Sequence, residues 1–258
     1  MKEEHILSQI FPEEDLRKTF QKIFDKNVIR IIHGMANAGH FDHLEYTIAT
    51  GKEAHVFRAI DKGGRFRAIK IYKLETSDFK KMEDYLRFEP RFQHVRNDRR
   101  QVVFAWTQKE FGCLRKMKNA GIMVPAPLSA KENVLVMEYI GDAENVAPQL
   151  KNAKIKNVKR FYETVCESIA KMLDANMIHG DLSEYNILVK DDMPIIIDVG
   201  QTVPTIHPNA KKFYERDIRN MLKVFHRMGM KELTFEEFYE DVKKHVKKGK
   251  KDDEYGTI

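Results

Sequence analysis

The feature that most constrains this chain is a short segment with an acid and an amide at fixed spacing. Asp181 follows His179 by two positions, and Asn186 follows Asp181 by five. Another acid, Asp198, ends the next apolar run. Phosphoryl transfer from a nucleotide needs a carboxylate at the attacking hydroxyl and oxygen ligands for a metal ion. The spacing therefore predicts that Asp181 is catalytic and that Asn186 and Asp198 are metal ligands.

Composition limits what this segment can belong to. The 258 residues are 42% hydrophobic and 33% charged, which is typical of a globular protein with one large domain or two lobes. No apolar run approaches the roughly 20 residues of a membrane-spanning helix, and the N-terminus lacks the apolar core of a signal peptide. Two cysteines are too few for a disulfide framework. We therefore expect a cytoplasmic protein without a membrane partner.

The first half of the sequence predicts helices followed by a sheet. Apolar residues recur with helical spacing between residues 12 and 37, which predicts one or two helices outside the main sheet. Three antiparallel strands are expected over residues 44–72, with a tight turn between the first two. Backbone amides of that turn can form an anion-binding nest, although a turn with one glycine is usually only a turn. Its residues are Thr50, Gly51, Lys52, Glu53 and Ala54.

Two charged residues extend this phosphate-binding hypothesis. Lys70 ends an Ala-Ile-Lys sequence on the third strand, where an ammonium group can pair with the α- and β-phosphates of ATP. A helix predicted over residues 103–121 carries Glu110, the best candidate for its acidic partner. The charged stretch between them, Glu75 to Asn97, shows little periodicity and predicts a long surface loop.

The second half predicts a hinge and then a helical region. A strand over residues 134–141 ends at a glycine, where we expect the hinge between two lobes. The hinge residues expected at the adenine are Met137, Glu138, Tyr139 and Ile140. Apolar residues from 158 to 173 predict a long helix that leads to His179, and another helix is expected over residues 210–228. In the latter we expect four charged residues to form structural ion pairs, namely Glu215, Arg216, Asp217 and Arg219.

Four segments together closely resemble the RIO family of atypical serine protein kinases, over residues 45 to 225 or so. They are residues 49–54, 135–141, 179–186 and 196–201. The turn sequence and the short N-terminal region resemble the first RIO subfamily. The resemblance implies an α+β, bilobal protein-kinase-like fold, ATP with Mg²⁺ or Mn²⁺, and autophosphorylation on serine. It also implies a role in maturation of the small ribosomal subunit.

Departures from ordinary protein kinases restrict the substrate. Asp198 is followed by Val-Gly instead of Phe-Gly, no Ala-Pro-Glu follows, and 58 residues remain after Gly200. We therefore expect a trimmed C-terminal lobe without an activation segment and peptide-docking helices. Ser183 stands where ordinary serine kinases place a lysine. The RIO resemblance implies an ATPase that passes through a 4-aspartylphosphate at Asp198.

The predicted organisation is an N-terminal helical flank, an N-lobe with a basic insertion near 75–100, and a C-lobe with a basic tail. The ranges are 1–43, 44–140 and 141–258, and the basic run of the tail is 243–251. A net charge of +6 favours acidic partners without choosing between RNA and protein. We expect contact with a small ribosomal subunit precursor through ribosomal RNA or assembly proteins.

Two other functions are compatible with parts of the pattern. Small-molecule phosphotransferases of the aminoglycoside and choline kinase type share His-Gly-Asp followed by Asn. A non-catalytic ribosome-assembly module would only bind nucleotide. The turn at 50–53 and Gln201 favour the RIO type over the first alternative. The presence of Lys70, Asp181 and the two metal-ligand candidates argues against the second.

Overall fold

The structure is a computed structural model that describes residues 8–12, 14–75, 79–92, 95 and 98–247. Side chains are not described at positions 16, 19, 21, 22 and 90. The chain divides into two compact units, residues 1–111 with 126–146, and residues 112–125 with 147–258. The lobe boundaries expected from the sequence stay predictions.

The helices α1 (Glu14–Ile23) and α2 (Lys26–Asn37) precede the sheet of the first unit. Asp25 separates them because its carboxylate caps α2, accepting hydrogen bonds from the backbone nitrogens of Asn27 and Val28. Apolar side chains of both helices, such as Phe20 and Ile32, share one buried core with strand residues. The prediction of one or two helices between residues 12 and 37 is therefore confirmed, with two formed, and their apolar faces are buried against the sheet.

The sheet of the first unit has five antiparallel strands in the order β1-β2-β3-β5-β4. The strands are β1 (His43–Thr50), β2 (Ala54–Ile60), β3 (Phe66–Tyr72), β4 (Pro127–Lys131) and β5 (Val134–Glu138). The three strands expected over residues 44–72 are confirmed. Lys70 pairs with Val56 on one side and Leu135 on the other, so it lies on a central strand rather than an edge.

The segment predicted as a surface loop is partly helical. It contains α3 (Phe79–Leu86) and a 3₁₀ turn (Pro90–Phe92), and α4 follows (Arg99–Asn119). Met82, Tyr85 and Leu86 are buried, at the spacing of one helical face. The loop prediction is wrong for α3, because the many charges concealed a narrow apolar stripe.

The second unit combines helices with a two-stranded hairpin. Its elements are a 3₁₀ turn (Leu150–Asn152), α5 (Val158–Asp174), β6 (Ile187–Lys190), β7 (Met193–Ile196), a 3₁₀ turn (Val199–Gln201), α6 (Ala210–Arg227) and α7 (Phe235–His245). Tyr162 of α5 packs against Phe225 of α6 and Phe238 of α7, with ring centres 5.0 and 5.2 Å away. The predicted helices at 158–173 and 210–228 are confirmed. Of the basic run at 243–251, residues 248–251 lie outside the described residues.

None of the helices within the described ranges is both long enough and apolar enough to cross a membrane.

Candidate active site

The turn between β1 and β2 is tied down at several points. Gly51 donates its backbone N–H to the carbonyl of Ala54 at 2.9 Å, and Lys73 Nζ donates to the carbonyl of Gly51 at 2.7 Å. Thr50 Oγ1 shares a hydrogen bond of 3.2 Å with Nδ1 of His55. Burial and the charge of Lys73 lower the pKa of His55, which favours the neutral form of its ring. The conformation of the turn is therefore fixed by hydrogen bonds from its own backbone and from neighbouring side chains.

The structure brings Lys70 and Glu110 together. Lys70 Nζ lies 2.8 and 2.9 Å from the two carboxylate oxygens of Glu110, whose side chain is 1% exposed. The hydroxyl of the buried Tyr72 also donates to Glu110. Sequence reasoning missed Tyr72, although alternate residues of a strand share one face and Tyr72 follows Lys70 by two positions. Lys70 and Tyr72, at alternate positions of β3, thus both donate to this acid.

The predicted hinge residues continue β5 into the next connection. Met137 pairs with Ala68 of β3. Glu138 donates its backbone N–H to the carbonyl of Ala126 at 2.8 Å, and its side chain accepts from the backbone nitrogen of Ala126 at 3.0 Å. Tyr139 and Ile140 are both buried. The segment is therefore held in one conformation by backbone pairing and burial.

Arg58 is a second residue that sequence reasoning missed. Its guanidinium lies 4.4 Å from the ring centres of both Tyr46 and Phe66. It donates to Glu45 at 2.7 Å and to the carbonyl of Ala143 at 2.6 Å. Burial raises the pKa of the neighbouring Tyr139 to about 12. Arg58 thereby anchors the chain just beyond the predicted hinge. In the sequence, the one signal for this role is that Arg58 is a charged residue in a largely apolar strand.

In the second unit, Asp181 and Asn186 are in contact. Asn186 Nδ2 donates to the backbone carbonyl of Asp181 at 2.9 Å and lies 3.4 Å from its Oδ2. Gln201 Nε2 donates to the same Oδ2 at 3.0 Å. The five-residue spacing seen in the sequence therefore closes a loop in which the amide steadies the acid.

Asp198 immediately precedes the 3₁₀ turn at 199–201, with φ 57° and ψ 57°. This left-handed conformation is unfavourable for a residue with a side chain, and such strain is concentrated at functional sites. Nε2 of the buried His179 lies 3.3 Å from the carbonyl of Ile197, and the backbone nitrogen of Ile197 donates to the carbonyl of Asn186 at 2.9 Å. The backbone segments that carry the two candidate metal ligands, Asn186 and Asp198, are therefore joined by a hydrogen bond.

The expected ion pairs on α6 are only partly formed. Arg219 does lie 3.9 Å from Glu215. Asp217, however, accepts hydrogen bonds from the backbone nitrogens of Gly180 and Leu182, both at 2.8 Å. The ion-pair prediction is wrong for Asp217 because its position falls on the buried face of α6. Burial raises the pKa of Asp217 to about 7, although the two amide donors favour the carboxylate and act to lower it.

The donor set fits a magnesium ion that is shared with a nucleotide. Within the described ranges, no three His, Cys, Asp or Glu side chains cluster as a metal site. Mg²⁺ usually binds through one or two carboxylates together with substrate phosphates and water, so a complete protein cage is not required. The amide nitrogen of Asn186 is turned to Asp181, so its oxygen is the atom that a cation would use.

Comparison with known proteins identifies the chain's family. The family model for the RIO domain matches residues 55–238. The chain belongs to the RIO family. The RIO-type serine/threonine-protein kinase Rio1 of Haloferax volcanii is 41% identical over 217 residues, covering 84% of this chain and 75% of that protein. Rio1 of Methanocaldococcus jannaschii is 39% identical over 217 residues, covering 83% and 73%. Human RIO1 is 35% identical over 231 residues, covering 88% of this chain and 41% of that protein.

Two solved RIO structures share the fold. The Rio2 kinase of Chaetomium thermophilum, described as an ADP/Mg²⁺-phosphoaspartate complex, has a TM-score of 0.66 at 24% identity, covering 88% of this chain and 67% of that one. Another Rio2 structure from the same organism has a TM-score of 0.60 at 21% identity, covering 96% and 86%. The predicted RIO membership, α+β kinase-like fold and kinase class are confirmed. The ADP and Mg²⁺ of the first complex agree with the predicted cofactors.

Proposed function

We propose that this RIO protein is a serine/threonine protein kinase and ATPase that transfers the γ-phosphate of ATP and acts in maturation of the small ribosomal subunit. The observation that carries the proposal is the contact of Asp181 with Asn186 and Gln201. It fixes a carboxylate in the loop where phosphoryl transfer needs one. RIO membership favours this reaction over the small-molecule phosphotransferase considered from the sequence.

The first unit supplies the nucleotide-binding residues. Lys70 pairs with the α- and β-phosphates, and Glu110, which also accepts a hydrogen bond from Tyr72, holds its ammonium in place. Backbone amides of the turn at 50–54 bind phosphate oxygens, and residues 137–140 meet the adenine. The contacts of Lys70, Lys73 and Arg58 support these roles because they fix the strand, the turn and the hinge in the free protein.

The second unit supplies the chemistry. Asn186 and Asp198 would hold Mg²⁺ (or Mn²⁺), which would neutralise charge on the transferred phosphate. Asp181 orients the attacking hydroxyl and accepts its proton while the bond from the γ-phosphorus to ADP breaks. In the ATPase cycle a carboxylate oxygen of Asp198 bonds to the γ-phosphorus as the bond to ADP breaks, and water then hydrolyses the resulting 4-aspartylphosphate to inorganic phosphate. The phosphoaspartate named for the Rio2 complex supports this role.

The macromolecular partner is a small ribosomal subunit precursor, bound through ribosomal RNA or an assembly protein. In the insertion, Arg91 lies 2.7 Å from Glu89, so this arginine is engaged within the protein. Arg99 and Arg100 are exposed and carry the contact surface that we propose. Both cysteines are buried and free, which supports a cytoplasmic location.

An ATP turnover assay with and without purified small-subunit particles tests this function. We expect Mg²⁺-dependent hydrolysis that the particles stimulate, and a phosphorylated protein that contains hydroxylamine-labile acyl phosphate besides stable phosphoserine. The Asp198→Ala variant should lack the acyl phosphate. Absence of both hydrolysis and phosphate transfer in the presence of particles would contradict the proposal.

A further inference from the structure

Gln201 donates a hydrogen bond to the carboxylate of Asp181. Its Nε2 lies 3.0 Å from Oδ2, and both side chains are half-buried. The second amide near this oxygen, Asn186 Nδ2, is farther away at 3.4 Å and also serves the backbone carbonyl of Asp181 at 2.9 Å. Gln201 is therefore the shorter of the two amide contacts to the carboxylate.

The backbone places Gln201 at this position. Ile178 and Val203 exchange two backbone hydrogen bonds of 2.9 Å, so the chain after Gln201 is paired with the chain before Asp181. Gly180, which lies between Ile178 and Asp181 in the chain, has a φ of +77°. A Cβ atom at this position would lie 2.8 Å from the carbonyl oxygen of Gln201. Only glycine allows the two segments to approach this closely. The amide of Gln201 is thus delivered to Asp181 by rigid backbone rather than by a flexible loop.

The candidate metal ligand lies directly before the same turn. Asp198 precedes the 3₁₀ turn that ends at Gln201. A displacement of that turn moves both Asp198 and the donor to Asp181. Gln201 therefore links the orientation of the acid to the position of the metal loop.

We infer that Gln201 is a positioning residue, which holds Oδ2 of Asp181 so that Oδ1 faces the attacking hydroxyl. The inference rests on the proposed function. In the step concerned, the hydroxyl oxygen bonds to the γ-phosphorus, its proton passes to Oδ1 of Asp181, and the bond to ADP breaks. A neutral amide suits this role because it donates to the carboxylate without competing for that proton.

Two substitutions separate the hydrogen bond from the shape of the side chain. Gln201→Ala removes the donor, whereas Gln201→Glu keeps the size but places an acceptor beside the Asp181 carboxylate. Both should lower kcat by on the order of 10- to 100-fold, the range for a hydrogen bond to a charged group. Affinity for Mg²⁺-ATP, measured by calorimetry, should change by less than about twofold. Retained binding of Mg²⁺-ATP also shows that each variant is folded. A residue that only fills space would tolerate the Glu substitution.

Gln149 is the matched control. Its Nε2 also donates to the catalytic loop, but to the backbone carbonyl of Tyr185 at 2.8 Å rather than to a carboxylate. Gln149→Ala and Gln149→Glu should leave kcat within about twofold of wild type. An equal loss of kcat in the Gln149 and Gln201 variants would overturn the inference, because it would show a general effect on the loop.

A double-mutant cycle completes the test. If Gln201 acts through Asp181, Gln201→Ala should cause no further loss of turnover in an Asp181→Ala background. An equal loss of about 10-fold or more in both backgrounds would overturn the inference. If Asp181→Ala has no measurable turnover, the Gln201→Glu variant decides instead, and wild-type turnover in that variant would overturn the inference. Wild-type turnover in Asp181→Ala itself would instead refute the proposed function, and this inference with it.

Discussion

Oδ2 of Asp217 lies 2.8 Å from the backbone nitrogen of Gly180, and this contact anchors the catalytic loop to α6. Oδ1 of the same carboxylate accepts from Leu182 at 2.8 Å, so the amides on both sides of Asp181 are held by one acid. Arg216 donates to the carbonyl of Gly180 from the preceding position of the helix. The loop is therefore fixed by a helix that follows it in the chain, and the fixing group is a buried acid with a raised pKa.

The first prediction concerns pH and stability. Burial raises the pKa of Asp217 to about 7, so between about pH 4 and pH 7 the folded state holds a proton that the unfolded state has lost. The contribution of this group to stability therefore falls as pH rises through that window, by up to about 4 kcal/mol. Asp217→Asn removes the dependence. In urea unfolding, wild type should be more stable relative to Asp217→Asn at pH 5 than at pH 8.

Asp192 is the matched control for this prediction. It also accepts from two backbone nitrogens, those of Lys156 and Asn157, but it is only half-buried and these bonds lower its pKa. Its contribution is present above the unfolded pKa and is lost only as pH falls through the lower folded pKa. Asp192→Asn should therefore leave the slope between pH 5 and pH 8 unchanged. The same difference from wild type at both pH values in Asp217→Asn would contradict the prediction.

The second prediction concerns the buried pair in the first unit. Lys70→Met removes the ammonium from a Glu110 carboxylate that is 1% exposed, which should destabilise the fold by roughly 3–5 kcal/mol. Adding Glu110→Gln should recover part of that loss, because the uncompensated charge is then gone. Urea unfolding of both variants measures the effect.

An exposed ion pair supplies the comparison. Lys18 and Glu14 are 2.7 Å apart on α1 and both are exposed. Lys18→Met should cost less than about 1 kcal/mol. If the double variant at positions 70 and 110 is no more stable than Lys70→Met alone, the buried charge is not the source of the cost.

The third prediction concerns Asp181. Asp181→Asn keeps the shape of the side chain but removes the carboxylate that orients and deprotonates the attacking hydroxyl. Single-turnover phosphoryl transfer should slow by on the order of 10² or more, with nearly unchanged ATP affinity. A wild-type rate in this assay would exclude the assigned role.

The fourth prediction concerns Asp198. Asp198→Ala should abolish the Mg²⁺-dependent part of nucleotide affinity while the protein remains folded, because a carboxylate is the main hard ligand that the site offers. Calorimetric titration with ATP, in Mg²⁺ and in EDTA, measures this. Equal Mg²⁺ dependence in variant and wild type would show that the metal is held elsewhere.

The fifth prediction concerns the basic insertion. Arg96 lies outside the described residues, whereas Arg99 and Arg100 begin α4 and are exposed, although Arg100 also lies 3.5 Å from Asp25. Arg99→Gln and Arg100→Gln should weaken association with small-subunit particles. They should also make its salt dependence shallower, by about one unit of slope for each phosphate that is no longer neutralised. Basal ATP hydrolysis should not change.

Arg65→Gln is the control, because it removes the same charge from an exposed side chain outside the insertion. Association with the particles should stay at the wild-type level in this variant. Undiminished binding of the Arg99 and Arg100 variants across a salt series would show that the insertion is not the contact surface.

The sequence alone determined the parts of the protein whose signal is local. The spacing of Asp181 and Asn186 is set within one loop, and their contact follows from a chain reversal over five residues. The strands over 44–72 and the helix at 158–174 follow from periodicities of two and of three to four residues. The Lys70–Glu110 pair spans 40 residues, and it was expected only because its two positions match a known pattern of kinase residues.

Only the tertiary structure decided which charged residues are buried and what they hold. Asp217 reaches Gly180 across 37 residues, and Arg58 reaches Ala143 across 85. In the sequence both are ordinary charges in amphipathic elements, and local periodicity does not distinguish a solvated charge from one that caps a distant backbone segment. α3 was missed for the converse reason, since its three buried residues stand among four charged ones, three of which are exposed. The decisive quantity in each case is burial, which depends on the packing of distant segments.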